Sequence, residues 1–381
     1  MGIRAQLGDI KRALKFEGGF KYKYTYYRYR KIARRKQVAD FRIDRVAEMY
    51  TYDWLDFEGA TKEEKKWFHE QGILSYKLQW YGINKENYQN YISDFDFFGK
   101  DNYMNTEYCQ WAENKLNTYY LLKPFNKYLP KHYYYVRSGK ILPLDVEEKK
   151  NGKVEDIVKL VNERPIAAKA VIGGHGTGFY KFEKKEGFYL VNNEKKSLDE
   201  LKEIIKSLDN YIITDYVIPH KKIREICGDD AFAVMRIIAI YDENDGPQIT
   251  AVILRLGCKN AGVVTDFSGT IYVGLTLDEG KSFEPIYKEN EYCYRKIKNH
   301  PDTGVNLEGF QVENWEELKK LVKDVCGYVP MTPYLCVDII PTDYGFDILE
   351  INSHGQVRVI EPHYPFLSNK YNKKLFKINR K

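Results

Sequence analysis

The sequence predicts a mixed α+β protein with largely antiparallel sheets. Three observations support this fold class: helical and strand-like segments alternate from about residue 111, a run of strands covers residues 211–277, and two apolar strands near the end flank the turn PTDYG. Helices combined with consecutive, hairpin-connected strands are typical of α+β proteins. The sequence contains no internal repeat.

The first 110 residues are predicted to form a basic, Tyr-rich and mainly helical region. Residues 1–45 contain 14 Lys or Arg and 4 Asp or Glu, a net charge of +10, whereas the other 336 residues have a net charge of −4. Thr61 and Glu64 fit a capping box that opens a helix. The charges favour contact with an anionic glycan or a membrane surface. The simpler alternative is a solvated helix face. No nucleic-acid motif accompanies the charges, so we expect no nucleic-acid partner.

Residues 111–381 are predicted to form a second domain, with a first lobe at 111–215 and a C-terminal lobe at 216–381. In chain order we expect a helix over Trp111–Tyr128, the strand HYYYV, a helix over Val154–Glu163, the strands PIAAKAVI, GFYKFEK and GFYLVNN, the helix LDELKEIIKSL, the strands YIITDYVI, AFAVMRIIAIY, QITAVILRLG and GTIYVGLTL, the helix WEELKKLVKDV, and the strands YLCVDII and FDILEIN. Pro130 ends the first of these helices, and Ser197 with Glu200 forms a capping box for the third.

A glycine-rich loop follows the strand that contains Lys169. The segment KAVIGGHGTGF has glycines at 173, 174, 176 and 178 between two strands. Glycines let backbone N–H groups approach phosphate oxygens closely, and the Lys169 ammonium can reach the same phosphates. The loop is not a P-loop, because GxxxxGK[ST] is absent and no helix follows directly. A flexible hairpin without a ligand is the alternative.

Two carboxylates and an amide lie in the last strand pair, VDIIPTDYGFDILEIN. If these strands form a hairpin about PTDYG, Asp338 and Glu350 lie near each other, and Glu350 shares one strand face with Asn352. Such oxygen ligands suit Mg²⁺, which proteins normally bind through one or two carboxylates together with substrate phosphates. Apolar neighbours make a solvated acidic hairpin the less natural alternative.

The order and spacing of these pieces resemble the ATP-grasp superfamily, and most closely its sugar-transfer-associated group. The resemblance covers roughly residues 110–360. It rests on NKLNTYYLLKPFNKYLPK, KAVIGGHGTGF, ITDYVIPH, FAVMRIIAI, ILRLG, DFSGTIYVGL and VDIIPTDYGFDILEIN. It implies a fold in which two α+β lobes with antiparallel sheets clasp ATP.

The same resemblance implies the nucleotide and metal contacts. Lys115 and Lys169 would contact the phosphates, although Asn114 stands where the family usually has Asp. The loop residues at the phosphates would be Gly173, Gly174, His175 and Gly176. The linker Thr214–Val217 would hold the adenine, with Asp215 in place of the more common Glu and with Tyr216 and Val217 after it. His220 fits the position near the ribose, or it simply starts a loop. Asp338, Glu350 and Asn352 match the metal ligands.

Three arginines are candidates for the reacting phosphoryl group. Arg236 and Arg255 each interrupt an apolar strand, and a buried Arg needs an anionic partner such as a phosphate or an acyl phosphate. Arg358, with His354 nearby, would face the γ-phosphate or the acceptor. Of the family's Asn-Thr-x-Arg motif only Arg236 remains. For each arginine the alternative is a structural salt bridge.

Several other classes of protein are disfavoured. The six cysteines are scattered without a CxxC pair, so a zinc site or a disulfide framework is not expected. No Ser–His or Cys–His arrangement is evident. The sequence has no stretch of roughly 18 uncharged apolar residues and no apolar signal region. We therefore expect a cytoplasmic protein or one peripheral to the inner face of the membrane.

These observations together predict an ATP- and Mg²⁺-dependent carboxylate–amine ligase. The substrate carboxylate would receive the γ-phosphoryl group as an acyl phosphate, and an amine would then displace phosphate. The family implies amidation of a sugar acid, or attachment of an amino acid, in capsule or exopolysaccharide synthesis. The partners would be a small-molecule or glycan carboxylate and an amine donor. The alternatives are an ATP-dependent sugar kinase on the same fold and a non-catalytic nucleotide- or glycan-binding module.

Overall fold

A computed structural model describes residues 19–105, 108–144, 152–173, 178–229, 231–258, 269–290 and 293–376. The chain divides into two compact units, one comprising Met1–Met104 with Pro365–Lys381 and the other Asn105–Tyr364. The residues from Pro365 onward thus group with the N-terminal unit, whereas the sequence analysis assigned them to the second domain. Aromatic packing accounts for this grouping, because the rings of Phe97 and Phe376 stack with centroids 6.1 Å apart.

The N-terminal unit is helical, as the sequence predicts. Its main helices are α1 (Gly19–Arg35), α2 (Asp40–Leu55), α3 (Lys62–Glu70), α4 (Lys77–Tyr81) and α5 (Asp94–Met104), and a short helix at Lys370–Leu375 joins them. The buried carboxylate of Asp53 on α2 lies 2.6 Å from Nε2 of His69 on α3. The other ring nitrogen of His69 lies 2.5 Å from the Tyr29 hydroxyl on α1. This chain of hydrogen bonds links the first three helices.

The second unit opens with a broken helix. A single helix over Trp111–Tyr128 was predicted from the sequence, and that prediction is wrong. The structure instead has α6 (Cys109–Glu113), α7 (Lys115–Leu121) and a 3₁₀ segment at Lys123–Tyr128. Asn114 is the cause: its backbone is extended, and its side chain accepts hydrogen bonds from the N–H groups of Leu116 and Asn117. An Asn in this position ends one helix and caps the next.

A seven-stranded antiparallel sheet follows. Its strands are β1 (His132–Arg137), β2 (Lys140–Pro143), β3 (Ile166–Ala170), β4 (Phe179–Lys185), β5 (Phe188–Val191), β6 (Glu194–Lys196) and β7 (Tyr211–Asp215), in the order β2-β1-β7-β3-β4-β5-β6. Helices α8 (Val154–Glu163) and α9 (Leu198–Ser207) cover one face. Ile166 and Ala168 of β3 lie in the core with these helices. Because strand side chains alternate, Lys169 lies on the opposite face.

A second seven-stranded antiparallel sheet contains the C-terminal hairpin. Its strands are β8 (Ala233–Asp242), β9 (Gly246–Gly257), β10 (Thr270–Leu275), β11 (Ser282–Lys288), β12 (Tyr294–Lys296), β13 (Tyr334–Thr342) and β14 (Gly345–Asn352), in the order β12-β11-β10-β9-β8-β13-β14. Two helices belong to the same part of the chain: α10 (Lys221–Cys227) precedes β8, and α11 (Trp315–Tyr328) lies between β12 and β13. These two sheets confirm the predicted α+β class with antiparallel pairing.

The second sheet has one apolar face and one charged face. Met235, Leu254 and Val337 belong to the core that includes the apolar side of α11. Residues of the opposite parity on the same strands face the other way. We call this other side the site face. Arg236 on β8, Arg255 on β9 and Asp338 on β13 are charged residues of the site face.

A β-bulge adjusts the register of the last hairpin. Ile339 pairs with Ile348, but Asp338 pairs with Glu350, so Leu349 is the extra residue. A bulge of this kind places two successive residues on one side of the strand. Leu349 and Glu350 therefore both lie on the site face, while Ile348 and Ile351 lie in the core.

Candidate active site

The centre of the site face is a buried cluster of two arginines and one aspartate. Nε and Nη2 of Arg236 donate to the two carboxylate oxygens of Asp338 at 2.9 and 2.8 Å. Nη2 of Arg255 donates to the second of these oxygens at 2.9 Å. Arg255 and Asp338 are only 1% and 3% exposed. Burial alone would raise the pKa of Asp338, but the two guanidinium groups hold it at about 2.

The partners of the two arginines in this cluster differ from those predicted. Arg236 and Arg255 were predicted to bind phosphate and Asp338 a metal ion, whereas in the structure both arginines bind Asp338. Each strand supplies one residue, and register pairs Asp338 directly with Arg236. The cluster has two positive charges and one negative charge. Nε of Arg255 is buried and has no hydrogen-bond partner in the described part of the chain. The net positive charge and the unpaired buried N–H group therefore both favour binding of an anion at this cluster.

Glu350 and Asn352 lie beside this cluster on β14. Asn352 Nδ2 donates to Glu350 Oε1 at 3.2 Å, and the Lys115 ammonium lies 3.3 Å from Glu350 Oε2. Of the Asp338 oxygens, Oδ1 accepts one hydrogen bond and retains a free lone pair. Two carboxylates and an amide oxygen thus lie on one side of a hairpin. This donor set fits Mg²⁺, with Asp338 shared between the ion and the arginines.

Lys169 and Lys115 provide positive charge from the first part of the unit. Burial lowers the pKa of Lys169 to about 8, an effect that the carboxylate of Glu350 opposes and the ammonium of Lys115 reinforces. Among the described residues no hydrogen bond or ion pair reaches the Lys169 ammonium. Lys115 also donates to the carbonyl oxygen of Gly173 at 3.0 Å. Both lysines are therefore placed near the carboxylates of β14.

The glycine-rich loop is described only at its two ends. Gly173 and Gly178 have φ angles of +139° and +74°, which favour glycine. A Cβ added to Gly178 would lie 2.6 Å from the Tyr211 hydroxyl, so this position also needs glycine for space. The predicted phosphate contacts of Gly174, His175 and Gly176 lie outside the described residues.

The linker after β7 has both paired and unpaired groups. The Tyr133 hydroxyl donates to Asp215 Oδ1 at 2.7 Å, and the Tyr216 N–H donates to the Pro165 carbonyl at 3.1 Å. In the described structure the N–H groups of Val217 and Ile218 donate to no acceptor. The Val217 side chain packs with an apolar group on the site face, namely Val234, Ile340 and Leu349. Free N–H groups beside an apolar surface suit a flat heteroaromatic base.

Two predicted site residues make other contacts. His220 accepts a hydrogen bond from the Lys222 N–H at the start of α10, and its Nε2 lies 3.7 Å from Glu313 in a cleft of about 310 Å³. The Arg358 Nη2 donates to the Tyr294 hydroxyl at 3.2 Å. Tyr294 is on β12, the edge strand at the opposite end of the sheet order from β14. His220 thus caps the start of a helix, whereas its simpler expected role was the start of a loop, and its contact with the ribose stays a prediction.

A Cys–His–Glu arrangement was not among the sites predicted from the sequence. Cys109 Sγ lies 3.5 Å from His354 Nε2, and His354 Nδ1 lies 2.6 Å from Glu113 Oε1. The sequence made no Cys–His arrangement evident, and the structure contains this one. Cys109 and His354 are separated by 245 positions, so no local motif marks the pair. The spacing of Cys109 and Glu113 by four residues on a helix was the available signal.

Comparison with known protein families shows to which family the chain belongs. The family model described as sugar-transfer associated ATP-grasp matches residues 98–362, more than two thirds of the chain. The chain belongs to the sugar-transfer associated ATP-grasp family. Membership confirms the resemblance drawn from the sequence motifs. A search of curated protein sequences finds no match to this ATP-grasp chain.

Several solved structures are similar in fold to this ATP-grasp protein. The ADP complex of an N5-carboxyaminoimidazole ribonucleotide synthetase has a TM-score of 0.36 at 13% identity, covering 64% of this chain and 45% of its own. The D-alanine–D-alanine ligase from Bacillus anthracis has a TM-score of 0.37 at 13% identity, with 72% and 67% covered. The L-amino acid ligase from Bacillus licheniformis has a TM-score of 0.34 at 10% identity, with 66% and 42% covered. This chain spans less than half the length of the first and third of these proteins.

Among the described residues, no helix combines the length and the apolar character needed to cross a membrane.

Proposed function

We propose that this protein is an ATP- and Mg²⁺-dependent carboxylate–amine ligase. The observation that supports it most strongly is the composition of the site face, where the Arg236–Arg255–Asp338 cluster lies beside Glu350 and Lys115. Such a set provides cationic donors for a transferring phosphoryl group together with oxygen ligands for a metal ion. The family kinship and the ligases of similar fold agree with this proposal.

Each group has a defined task in the proposed reaction. Lys115 and Lys169 bind and orient the phosphates of ATP, and the free N–H groups of Val217 and Ile218 hold the adenine. Asp338, Glu350 and Asn352 would hold Mg²⁺, which when bound neutralises phosphate charge. Arg236 and Arg255 stabilise negative charge on the phosphoryl group as it moves to the substrate carboxylate. The resulting acyl phosphate reacts with an amine and releases inorganic phosphate.

We propose that the reaction amidates a sugar acid, or attaches an amino acid, in polysaccharide assembly. The family description, sugar-transfer associated ATP-grasp, supports this choice. The exposed face of α1 supports contact with an anionic membrane surface or glycan. It presents Phe20 at 86%, Tyr24 at 64% and Tyr27 at 60% exposure, and α1 has no acidic residue in its first turn and Arg34 and Arg35 in its last.

Thermal unfolding with a non-hydrolysable ATP analogue, with and without Mg²⁺, tests the nucleotide site. A ligand at 100 times its Kd stabilises the native state by about 2.7 kcal/mol, which shifts the Tm of a domain this size by about 5–10 °C. We expect a shift that requires Mg²⁺ and that is lost in Glu350→Ala. Glu308→Ala, a substitution of an exposed glutamate in the same unit, is the matched control and should keep the shift.

Product analysis then tests the reaction class. A ligase releases ADP and free phosphate only when both a carboxylate and an amine are present, whereas a sugar kinase releases ADP and a phosphorylated sugar. No thermal shift at millimolar nucleotide, or no ADP with a broad acceptor panel, would contradict the ligase and favour a binding module.

A further inference from the structure

A thiol, an imidazole and a carboxylate form a continuous line beside the proposed active site. Cys109 and Glu113 lie on α6 four residues apart, so both side chains occupy one face of that short helix. The His354 ring lies between them, with one nitrogen 3.5 Å from the Cys109 sulfur and the other 2.6 Å from the Glu113 carboxylate. Nucleophile, base and orienting acid are arranged this way in enzymes that use a side-chain nucleophile.

The hydrogen bonds define the His354 tautomer. The Glu113 carboxylate accepts hydrogen bonds and donates none, so Nδ1 of His354 carries the proton that it shares with Oε1. The Ser353 hydroxyl donates to the same oxygen at 3.1 Å. In the neutral imidazole, Nε2 is then the ring nitrogen with a lone pair, and it lies 3.5 Å from the Cys109 sulfur, within reach of the thiol proton. The imidazole is thus oriented to accept the thiol proton.

The backbone around the imidazole is fixed from two sides. The buried Asn105 side chain donates to the carbonyl oxygens of Ser353 and Tyr334 at 2.6 and 2.8 Å. Gly355 follows His354, and a Cβ there would lie 2.3 Å from the Cys336 Cβ. These contacts hold the turn that carries His354.

The chain also ties this arrangement to the proposed phosphoryl-transfer site. His354 comes two residues after Asn352, and Glu113 comes two residues before Lys115. Two residues of extended chain span about 7 Å, so the imidazole and its carboxylate are anchored close to the groups assigned to metal and phosphate.

We propose that Cys109 is a nucleophile that accepts the acyl group of the acyl phosphate as a thioester, an inference that rests on the proposed function. The sulfur attacks the acyl carbon, a C–S bond forms, and the C–O bond to phosphate breaks. His354 transfers the thiol proton to the departing phosphate. The amine then attacks the thioester, a C–N bond forms, the C–S bond breaks, and His354 passes the amine proton to the thiolate. The protein returns to its starting state.

The chain contains a matched control cysteine. Cys293 is half-buried like Cys109, but its thiol donates to the Glu289 carboxylate at 3.1 Å and the pKa of Cys293 is raised, chiefly by that hydrogen bond. A carboxylate next to a thiol disfavours the thiolate, whereas a neutral imidazole accepts its proton. Iodoacetamide labelling of the wild-type protein, read by peptide mass spectrometry, should modify Cys109 at least tenfold faster than Cys293. Equal or slower labelling of Cys109 would overturn the proposal.

Acetyl phosphate, a simple acyl phosphate, tests the acyl transfer itself without nucleotide. Incubation should place an acetyl group on Cys109 that neutral hydroxylamine removes, and His354→Gln should reduce both this acylation and the alkylation of Cys109 about tenfold without changing the labelling of Cys293. Absence of a hydroxylamine-sensitive acetyl group on wild-type Cys109 would overturn the acyl-acceptor role. Because neither assay uses ATP, their failure is distinguishable from failure of the nucleotide site, which thermal unfolding measures separately.

Discussion

Asp338 and Arg236 pair across neighbouring strands in a bidentate arrangement, with hydrogen bonds of 2.9 and 2.8 Å. Arg255 adds a third bond to the same carboxylate from the next strand. A carboxylate that neutralises two buried guanidinium groups is a structural element of the sheet as well as a candidate metal ligand. Substitution of Asp338 should therefore lower the stability of the fold as well as any catalytic activity.

We expect Asp338→Asn to lower the free energy of unfolding by about 3–5 kcal/mol. The substitution leaves two arginines buried without a counter-charge, which is among the costlier single changes in a protein core. Glu350→Gln is the matched control because the Glu350 side chain is 29% exposed and its partner Lys115 lies 3.3 Å away. This control should cost less than about 1 kcal/mol in urea denaturation. Similar losses in the two variants would contradict the cluster.

Acid stability provides a second check on the cluster. The folded-state pKa of Asp338, about 2, is below the ordinary value of about 3.9. Asp338 therefore stabilises the fold above about pH 4, and this contribution is lost as the pH falls from about 4 to about 2. The wild-type protein should lose stability over this range more steeply than Asp338→Asn. Parallel curves in denaturant titrations would exclude the depressed pKa.

Nucleotide affinity should depend on the protonation of Lys169. Because its pKa is about 8, the ammonium loses its proton as the pH rises through 8 and no longer attracts phosphate. A charge-assisted hydrogen bond contributes about 1.5–3 kcal/mol, so the Kd for ATP should rise roughly tenfold between pH 7 and pH 9.5. Lys169→Arg keeps its charge and should bind with a flatter profile by calorimetry. The same slope in both proteins would contradict the assignment.

As the pH rises, the free energy of unfolding should increase although the affinity for ATP falls. A lysine whose pKa is lowered by folding opposes the folded state while both states are charged. This unfavourable contribution is relieved as the pH rises from about 8 to about 10.4. In the absence of nucleotide, the wild-type protein should therefore gain stability over this range relative to Lys169→Met.

Gly178→Ala, just before β4, should destabilise the first sheet more than Gly187→Ala in the turn between β4 and β5. Gly187 has a φ of +76°, close to that of Gly178, but a Cβ there meets no atom within 4 Å. Gly187→Ala should cost about 1 kcal/mol from backbone strain alone. Gly178→Ala should cost about 1–3 kcal/mol more because its Cβ meets the Tyr211 hydroxyl. Tyr211→Phe should recover part of this loss, and no recovery would place the cost elsewhere.

The exposed face of α1 should confer binding to anionic surfaces. Lys23→Glu with Lys31→Glu should weaken co-sedimentation with phosphatidylglycerol vesicles at least tenfold, since each basic residue near such a surface contributes about 1 kcal/mol. Lys202→Glu with Lys206→Glu on α9 is the control and should have no effect. Equal binding to neutral phosphatidylcholine would contradict an electrostatic contact. Binding to an anionic polysaccharide but not to vesicles would identify a glycan.

Much of the fold was predictable because period-two and capping patterns are local. The Ser197 capping box and the hairpin about PTDYG are read from a few adjacent residues. The break at Asn114 was not predicted, because an uninterrupted helical pattern surrounds it. Only the hydrogen bonds from its side chain to the next turn show that the chain starts a new helix there.

The site was predictable in its residue types and less so in its pairings. An arginine within an apolar strand demands an anion, which correctly marks Arg236 and Arg255 as unusual, but it does not say which anion. The partner in the structure is Asp338, which lies on the strand beside β8 only once the sheet order is known. Cys109 and His354 illustrate the same limit, because a contact across 245 positions leaves no trace in local spacing.

The extra residue at Leu349 has a consequence for the evolution of this chain. Counted from the turn, Glu350 would fall on the opposite side of the sheet from Asp338 if the ladder were regular, and Leu349 would take its place. Loss of the Leu349 codon alone would remove the bulge and keep Glu350 opposite Asp338 in a regular ladder. A regular ladder that retained Leu349 would instead turn Glu350 toward the apolar core and Ile351 outward. The stretch between the turn and Glu350 should thus tolerate the loss of one residue during evolution.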